Sequence, residues 1–360
     1  MALKTALLEA LLASAGEPLS GSALAAHLGV SRAAVWKAAA QLREEGYTIE
    51  AGPNRGYRLV ADNDRLSEPG IRHGRAATVP GAGPALGGDI RLYSVLPSTN
   101  DKAKELASAG AAGGTVVIAD SQSAGKGRRG RPFFSPPGSG LYLSVILRPR
   151  LTGEQASLIT SAAAAAAARA VEQAAALPAG TVGIKWVNDL FIRGRKICGI
   201  LTEAALDLES GMLDYAVLGI GINTAPMSFP DDLQPIATSV SNECGRPVSR
   251  NALAACLLDE LERELPVVEA PPPYRFLEEN RRRSVVLGRE VLVTRGGETF
   301  SARAVEIDGD GGLVVQTPDG IRTLRSGEVS LRLWQKEPAS AGGEIRREVI
   351  GNSTTSQGER

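Results

Sequence analysis

The apolar pattern of the first sixty residues predicts three helices and a hairpin. Five leucines between positions 3 and 12 repeat at helical spacing. Two further helices are predicted over 23–28 and 32–45, with a Gly29-Val30 turn between them, and two short strands joined by a Gly-containing turn follow. Helix, helix, turn, helix and hairpin is the order of a winged helix-turn-helix, which we assign to residues 1–62.

The third helix of such a domain enters the major groove of DNA with its N-terminal residues foremost, and the wing meets phosphate. Four residues are therefore predicted to contact DNA: Ser31, Arg32, Lys37 and Arg55. Val35 and Trp36 of the same helix are predicted to lie in the core. The alternative is a three-helix interaction module in which Arg32 and Lys37 are simply solvated.

Beyond the hairpin the pattern predicts a linker and a large mixed domain. Residues 63–88 are rich in Ala, Gly and Pro, so they are predicted to be a linker on which His73 and Arg75 are mobile surface residues. From 89 to 284, alternating strand-like and helical runs predict a mixed α/β domain. Its alanine-rich helix over 154–176 suits close packing on a sheet, because the side chains are small.

The end of the chain predicts a small all-β domain and a tail. Short strands with Gly-rich turns over 285–334 indicate a small β-barrel or sandwich. Residues 335–360 are polar and rich in Gly and Ser, so we predict that they are disordered. At 360 residues the chain is long enough for this α+β multidomain arrangement.

Composition narrows the possible partners and the compartment. Lys plus Arg and Asp plus Glu are both 40, so any nucleic-acid binding must come from a local patch. Three cysteines without metal-ligand spacing predict reduced thiols in the cytoplasm, and two distant histidines offer no zinc motif. The leucine-rich start resembles a signal peptide only faintly because Glu9 interrupts it, and no apolar run reaches membrane-spanning length.

Residues 120–131 carry the strongest chemical signal. Three glycines alternate there with four cations, namely Gly125, Gly127 and Gly130 with Lys126, Arg128, Arg129 and Arg131. Glycines let the backbone approach a ligand, and the arginine fork matches phosphate or carboxylate. The spacing also fits G-x-G-x-x-G, but the prolines that follow forbid the helix of a dinucleotide-binding loop, and a Walker loop lacks its Ser or Thr. We predict a flexible lid over an anionic ligand.

Four further segments place polar groups or glycines at predicted strand or helix ends. They are Ser98-Thr99-Asn100, Lys185-Trp186-Val187-Asn188-Asp189, residues 193–201 and Gly219-Ile220-Gly221-Ile222-Asn223. Lysine, amide and carboxylate at a strand end can hold phosphate, ribose and magnesium together; the alternative is a surface strand end where Lys185 and Asp189 pair. Cys198 is predicted to be a small buried hydrophobe rather than a nucleophile.

Together, these segments resemble the biotin–protein ligases, and within that family the bifunctional type that also represses the biotin operon. The resemblance covers the chain to about Trp334 and implies a class II synthetase-like, biotin/lipoate ligase-like fold over 89–284 and an SH3-like barrel over 285–334. Two departures stand out. Val187 replaces a usual proline, and Lys126 replaces an arginine, which keeps the charge but loses the bidentate fork.

The resemblance also implies roles for individual residues. The positions that would hold biotin are Ser98, Thr99, Asn100, Gln122, Gly125, Lys126, Arg128 and Lys196. The positions that would bind the nucleotide are Arg128, Arg129, Lys185, Asn188, Asp189, Asn223 and Arg332. Lys196, Arg128 and Asp189 would carry catalysis, and Asp189 would be the ligand of Mg²⁺.

The implied reaction joins biotin to ATP as biotinyl-5′-adenylate and then to a lysine of a biotin carboxyl carrier protein. The same intermediate would promote a homodimer that binds a palindromic operator. Three alternatives are a lipoate or octanoate ligase, a biotin sensor without catalysis, and a ligase whose winged helix no longer binds DNA. The winged helix and the Gly/Arg loop argue against the first, and the retained Lys196, Arg128 and Asp189 argue against the second. The third stays open.

Overall fold

The computed structural model describes most of the chain in seven segments. These are residues 3–52, 55–61, 63–75, 86–226, 228–295, 298–325 and 330–333. Only the backbone is described for residues 295 and 330–333. The predicted tail over 335–360 lies outside the described residues. Within the described segments, no helix has both the length and the apolar character needed to cross a membrane.

The N-terminal domain has the predicted helix-turn-helix and wing. Its elements are α1 (Leu3–Ala13), α2 (Gly21–Leu28), α3 (Arg32–Glu44), β1 (Thr48–Gly52) and β2 (Gly56–Ala61). The hydroxyls of Ser20 and Ser31 accept hydrogen bonds from the amides of Ala23 and Ala34, which caps α2 and α3. Gly29 ends α2 with a φ of 64°, so the turn between the two helices lies where the sequence predicts it.

The prediction that Trp36 lies in the core is wrong, whereas Val35 is fully buried as expected. The Trp36 residue is 63 % exposed. The buried stripe of α3 consists of Val35, Ala38, Ala39 and Leu42. Trp36 lies one residue away from this narrow stripe, and the helical turn of about 100° per residue carries it onto the outer face.

The predicted linker contains a helix that packs on the central domain. Here α4 (Glu68–Gly74) begins behind Ser67, whose hydroxyl accepts from the Gly70 amide, and its Ile71 is fully buried. Arg75 is not a mobile surface residue, because it forms ion pairs with Asp259 and Glu262 at a side-chain exposure of 16 %. His73 is exposed, and residues 76–85 lie outside the described part.

The central domain is built on a seven-stranded mixed sheet. Its strands are β3 (Ile90–Leu96), β4 (Val116–Gln122), β5 (Gly140–Leu147), β6 (Gly183–Lys185), β7 (Asp189–Ile192), β8 (Arg195–Leu206) and β9 (Leu213–Asn223). The strand order is β3-β4-β5-β9-β8-β7-β6, and β3 runs parallel to β4 while the other neighbours are antiparallel.

Helices cover both faces of this sheet. They are α5 (Thr99–Ser108), α6 (Ala156–Ala174), α7 (Val240–Cys244), α8 (Arg250–Glu264) and α9 (Arg275–Arg283). The alanine run 162–168 of α6 is fully buried in the main core with α8, which confirms the close packing predicted from its small side chains. A separate core joins α5 to the opposite face through Ala103 and Ala107. The start of α5 therefore lies directly against the ends of the central strands.

The C-terminal domain is a five-stranded antiparallel sheet. Its strands are β10 (Glu290–Arg295), β11 (Glu298–Ile307), β12 (Leu313–Thr317), β13 (Gly320–Leu324) and β14 (Ser330–Leu333), in the order β13-β12-β11-β10-β14. The buried indole N–H of Trp186 donates to the Gly311 carbonyl at 2.8 Å and so ties this domain to the Lys-Trp block. Closure of the sheet into an SH3-like barrel stays a prediction.

Candidate active site

A network of buried amides and hydroxyls lies where the start of α5 meets strands β4, β5 and β8. The Thr99 amide donates to the Gln122 Oε1 at 2.8 Å, and the Gln122 Nε2 donates to the Ser135 hydroxyl at 3.0 Å. The Ser144 Oγ lies 2.7 Å from the Asn100 Oδ1, and the Asn100 Nδ2 donates to Glu203 at 2.8 Å. Both amide side chains are therefore held in one orientation before any ligand arrives.

Ser98 stands at the N-cap position of α5, as predicted. Its residue is 2 % exposed, yet its hydroxyl makes no cap hydrogen bond. The hydroxyl is therefore not used in capping, and Ser98 lines the first cavity described below.

The Gly-x-Gly block on β9 makes room for this network. A Cβ atom at Gly219 would lie 2.0 Å from the Asn100 Oδ1, and one at Gly221 would lie 2.6 Å from the Phe133 ring. Close approach of a ligand at these glycines stays a prediction; both of them line the first cavity, and two side chains pack beside them. Asn100 and Phe133 can occupy these positions only because both residues are glycine.

Phe133 limits the size of the cavity that these groups enclose. The cavity has a volume of about 50 Å³, and among its lining residues are Asn100, Gln122 and Lys196. Typical ligand pockets are about 300–1,000 Å³. The Phe133 ring packs edge-on against Tyr142 at 6.4 Å between centroids. Phe133 therefore forms part of the wall of this small space, which is continuous with the residues around Arg128 and Lys196.

The Gly/Arg loop, predicted to be a flexible lid, is folded as a tight turn. The Gly127 amide donates to the Arg131 carbonyl at 2.7 Å, and a single 3₁₀ turn covers Arg128–Gly130. The ammonium group of Lys126 pairs with Asp101 of α5 at 2.7 Å, which fixes the loop to the helix that carries Thr99 and Asn100.

Arg128 is the cation of this loop that turns inward. Its Nη1 donates to the Asn188 Oδ1 at 2.9 Å. Its Nη2 is buried and has no hydrogen-bond partner among the described residues. Burial lowers the pKa of the guanidinium, and the Asp189 carboxylate nearby opposes that shift. A buried guanidinium nitrogen without an acceptor fits an anionic ligand group at this position.

A second cavity of about 270 Å³ lies on the other side of Arg128. The Lys196 Nζ pairs with the Asp189 Oδ1 at 2.6 Å, and the Asn188 Nδ2 donates to the same oxygen at 3.1 Å. Asp189 thus forms an ion pair with Lys196, while the Lys185 Nζ lies 5.8 Å from the Phe191 ring centroid. This cavity combines fixed cations with one carboxylate.

The structure brings most of the predicted site residues to these two cavities. Those lining the first are Ser98, Thr99, Asn100, Gln122, Lys126, Arg128 and Lys196, and Gly125 is buried beside Gln122 and Ser135. Those lining the second are Arg128, Arg129, Lys185, Asn188, Asp189, Lys196 and Asn223. Arg332 pairs through its backbone with Leu292, and its side chain lies outside the described part.

Five residues of the site were not identified by the sequence analysis. They are Phe133, Ser135, Tyr142, Ser144 and Glu203. Phe133 stands two residues after the last arginine of the Gly/Arg run and could have been suspected as part of the loop. Ser144 and Glu203 lie within strands and outside the segments that the sequence analysis singled out, and only the packing of α5 across the sheet brings them to Asn100.

Cys198 is not a nucleophile of this site. It is fully buried, and burial raises the pKa of its thiol, which confirms the prediction of a small buried hydrophobe.

The predicted DNA-contacting residues lie together on the N-terminal domain. Arg32, Trp36 and Lys37 are exposed on α3, and Arg55 is exposed beside residues 53–54, which lie outside the described part. The Ser31 hydroxyl caps α3, so its side chain has a structural role as well.

A polar pocket and a cation-lined cavity share Arg128, an arrangement that suits an enzyme joining a carboxylate to a phosphate. Family models agree: the biotin/lipoate A/B protein ligase family matches residues 92–223, an HTH domain matches 4–58, and the biotin protein ligase C-terminal domain matches 286–332.

Individual relatives give the same result. The chain is 35 % identical over 333 residues to the bifunctional ligase/repressor BirA of Bacillus subtilis, covering 91 % of this chain and 98 % of the relative. It is 33 % identical to that of Escherichia coli, covering 91 % and 97 %. The biotin protein ligase of Aquifex aeolicus, solved with biotin and ATP, matches with a TM-score of 0.59 and 26 % identity over 69 % of this chain and all of that one. The chain belongs to the family of bifunctional biotin protein ligase/repressors.

Proposed function

We propose that this protein forms biotinyl-5′-adenylate from biotin and ATP and transfers the biotin to a lysine of a biotin carboxyl carrier protein. The observation that carries the proposal is that Arg128, Asn188 and Lys196 line both cavities. Two cations and an amide thus stand at the boundary where a carboxylate from one cavity would meet a phosphate from the other. The free Nη2 of Arg128 fits that position.

The first cavity suits the polar ring of biotin. A ureido group carries two N–H donors and one carbonyl acceptor. The hydroxyls and amides of Ser98, Thr99, Asn100 and Gln122, which line this cavity, offer both kinds of partner. Gly125 leaves space beside Gln122, and Lys126 holds the loop closed over the ring through Asp101.

The first reaction needs charge stabilisation and positioning rather than a nucleophile on the enzyme. An oxygen of the biotin carboxylate attacks the α-phosphorus of ATP, the new P–O bond forms, and pyrophosphate leaves. Lys196 and Arg128 offset the negative charge that gathers on the phosphoryl oxygens. In the second reaction the lysine amine of the carrier attacks the acyl carbon and AMP leaves, while the loop keeps water from the mixed anhydride until then.

Asp189 would hold Mg²⁺ on the nucleotide side. Within the described residues no cluster of three or more His, Cys, Asp or Glu side chains could hold a metal ion. Mg²⁺ commonly takes only one or two protein carboxylates and completes its shell with water and substrate phosphates, so one carboxylate fits. The ion would supply charge neutralisation at the phosphates. Asn188 and Lys196 fix the Asp189 Oδ1, and Asp189 lines the second cavity.

The remaining nucleotide contacts are assigned to the rim of the second cavity. Arg129 and Lys185 bring positive charge, and the Asn223 Nδ2 is fixed by the Thr238 carbonyl at 3.1 Å, which leaves its Oδ1 as an acceptor. Arg332 on β14 would reach the nucleotide from the C-terminal domain, whose sheet would close as an SH3-like barrel.

We further propose that the adenylate acts as corepressor. The loaded protein would form a homodimer in the cytoplasm, where the three free cysteines stay reduced, and would present two winged helices to a palindromic operator. Ser31, Arg32 and Lys37 would face the major groove, and Arg55 would face phosphate. The exposed Trp36 extends the same surface.

Mass spectrometry of a biotin carboxyl carrier domain tests the ligase. The carrier is incubated with this protein and Mg-ATP plus biotin, with lipoate and octanoate in parallel. We expect a mass gain of one biotinyl group on one lysine and none with the other acids. A gain only with lipoate or octanoate would move the chain to the sister enzymes, and no gain with any acid would leave a sensor.

Binding to the DNA upstream of the organism's own biotin genes tests the repressor. Affinity should rise on addition of biotin with ATP and fall steeply with salt, because phosphate contacts release counterions. DNA binding that changes neither with biotin and ATP nor with salt would overturn the corepressor role.

A further inference from the structure

Arg250 is a buried cation outside the site described so far. It is the first residue of α8, and its side chain is only 6 % exposed. Buried arginines are costly unless their charge and donors are satisfied, so the partners of such a residue show what it holds together.

One set of partners belongs to the segment that leaves the DNA-binding domain. The Arg250 Nε donates to the Asp64 Oδ2 at 2.9 Å, and its Nη2 donates to the Asp64 carbonyl at 2.7 Å. The Arg250 amide also donates to the Asp64 Oδ1 at 2.6 Å. Asp64 stands three residues after β2, the second strand of the wing, and shortly before α4.

The other set of partners belongs to the two strands that enclose the Gly/Arg loop. The Arg250 Nη1 donates to the Asp120 Oδ1 at 2.7 Å and to the Gly140 carbonyl at 3.4 Å. Asp120 stands two residues before Gln122 on β4. Gly140 starts β5, two residues before Tyr142, and both Gln122 and Tyr142 line the first cavity.

We propose that Arg250 is a positioning residue that couples the ligand loop to the DNA-binding domain. A single guanidinium joins Asp64 on one side to both ends of the loop segment on the other. Residues 123–139 connect β4 to β5, and Phe133 among them lines the first cavity. A rearrangement of this segment on ligand binding would be transmitted to Asp120 and Gly140, and through Arg250 to Asp64. Coupling of this kind is reciprocal, so the contacts at Asp64 also affect the affinity for the ligand.

The neighbouring contacts give this junction the rigidity that coupling needs. The Asn251 Nδ2 donates to the Arg65 carbonyl at 2.7 Å, and the Ser67 amide donates to the Asn251 Oδ1 at 3.0 Å. Arg75 pairs with Asp259 and Glu262 at the far end of α4. The segment from Asp64 to Arg75 is therefore attached to α8 at both of its ends.

The test uses Asp64→Asn in the full chain. The amide keeps the size of the side chain and an acceptor for the Arg250 amide but removes the charge. The matched control is Asp89→Asn, which removes the same charge from an exposed pair with Arg91. Arg250→Lys keeps the charge, but a single ammonium cannot reach all the acceptors that the fork contacts.

Two measurements are made on each protein: the biotin Kd by calorimetry, and hydrogen exchange of the peptide that covers α4, with and without biotin and ATP. In the unsubstituted protein the ligands should slow exchange in α4. In Asp64→Asn and Arg250→Lys the Kd should rise about fivefold or more, the usual lower range of such coupling, and the response of α4 should disappear. Asp89→Asn should match the unsubstituted protein.

The Arg250 coupling rests on the proposed biotin pocket, and two different results would contradict the coupling and the pocket. A Tm decrease in Asp64→Asn with an unchanged biotin Kd and a retained α4 response would show a merely structural role and overturn the coupling alone. Absence of biotin binding by the unsubstituted protein would overturn the proposed function and the coupling with it.

Discussion

The active site and the recognition helix both depend on cations, but they hold them in opposite ways. In the active site Arg128 is partly buried against Asn188, and Lys196 pairs with Asp189. On α3, Arg32 and Lys37 are exposed to solvent. Interactions of enclosed charges are strong and depend on geometry, whereas those of exposed charges are weak and screened by salt. The two regions should therefore respond very differently to single substitutions.

The sharpest test on the enclosed side is Lys196→Ala. Loss of a cation at the reacting phosphate should lower the rate of adenylate formation by about 10²–10³-fold, the usual cost of removing one preorganised donor. Pyrophosphate release measures that rate. Lys102→Ala, which removes an exposed lysine paired with Glu105, is the control. A rate for Lys196→Ala close to that of the control would contradict the role given to Lys196.

Gly219→Ala tests whether packing behind the site matters as much as its charges. The new methyl group would stand 2.0 Å from the Asn100 Oδ1, so Asn100 must leave its position. Overpacking of this kind costs about 1–3 kcal/mol of stability, and biotin binding should weaken with it. Thermal unfolding and calorimetry measure the two effects. At Gly113 the nearest atom to a Cβ is at 3.5 Å, so Gly113→Ala should be tolerated.

On the exposed side, Lys37→Ala should have a smaller and uniform effect on DNA. A lost phosphate contact weakens binding to all sequences alike and reduces the slope of log K against log salt by about 1. Titration of operator DNA at several salt concentrations, with biotin and ATP present, measures this slope. An unchanged slope would show that Lys37 makes no phosphate contact. Ligase activity should be the same in Lys37→Ala as in the unsubstituted protein.

The smallest effect is that of pH on the Cys198 thiol, which is buried but plays no part in the chemistry. Because burial raises its pKa above the ordinary 9.0, the thiol stays protonated in the folded protein. Its contribution to stability is present below pH 9 and decreases as the pH rises beyond it, since only the unfolded chain ionises there. A thiol reagent at pH 8 should label Cys244 and Cys256 first and Cys198 only on unfolding; rapid labelling of Cys198 in the native protein would be the contrary result.

Features with a local cause could be predicted from the sequence. Ser31 caps α3 and Gly29 ends α2 because capping and positive φ depend on a few neighbouring residues. The segments rich in glycine and in basic residues likewise predicted most of the site, because the residue types themselves determine which ligand groups can bind. The resemblance to biotin–protein ligases rested on those blocks and is confirmed by the relatives.

Features that depend on what packs across the chain could not be predicted. Residues 68–74 show no helical periodicity, and α4 forms where Ile71 and Arg75 find partners in the central domain. Trp36 was expected in the core, although its place on the helix turns it outward.

The sequence by itself therefore determined the order of domains, the local caps and turns, and the chemical groups available for catalysis. Only the tertiary structure decided which of those groups meet, with Arg128 between two cavities, Phe133 over Gly221, and Arg250 between Asp64 and Asp120. The reason is physical: propensity and residue chemistry act over a few neighbouring positions, whereas burial and charge pairing depend on groups brought together from more than a hundred residues apart.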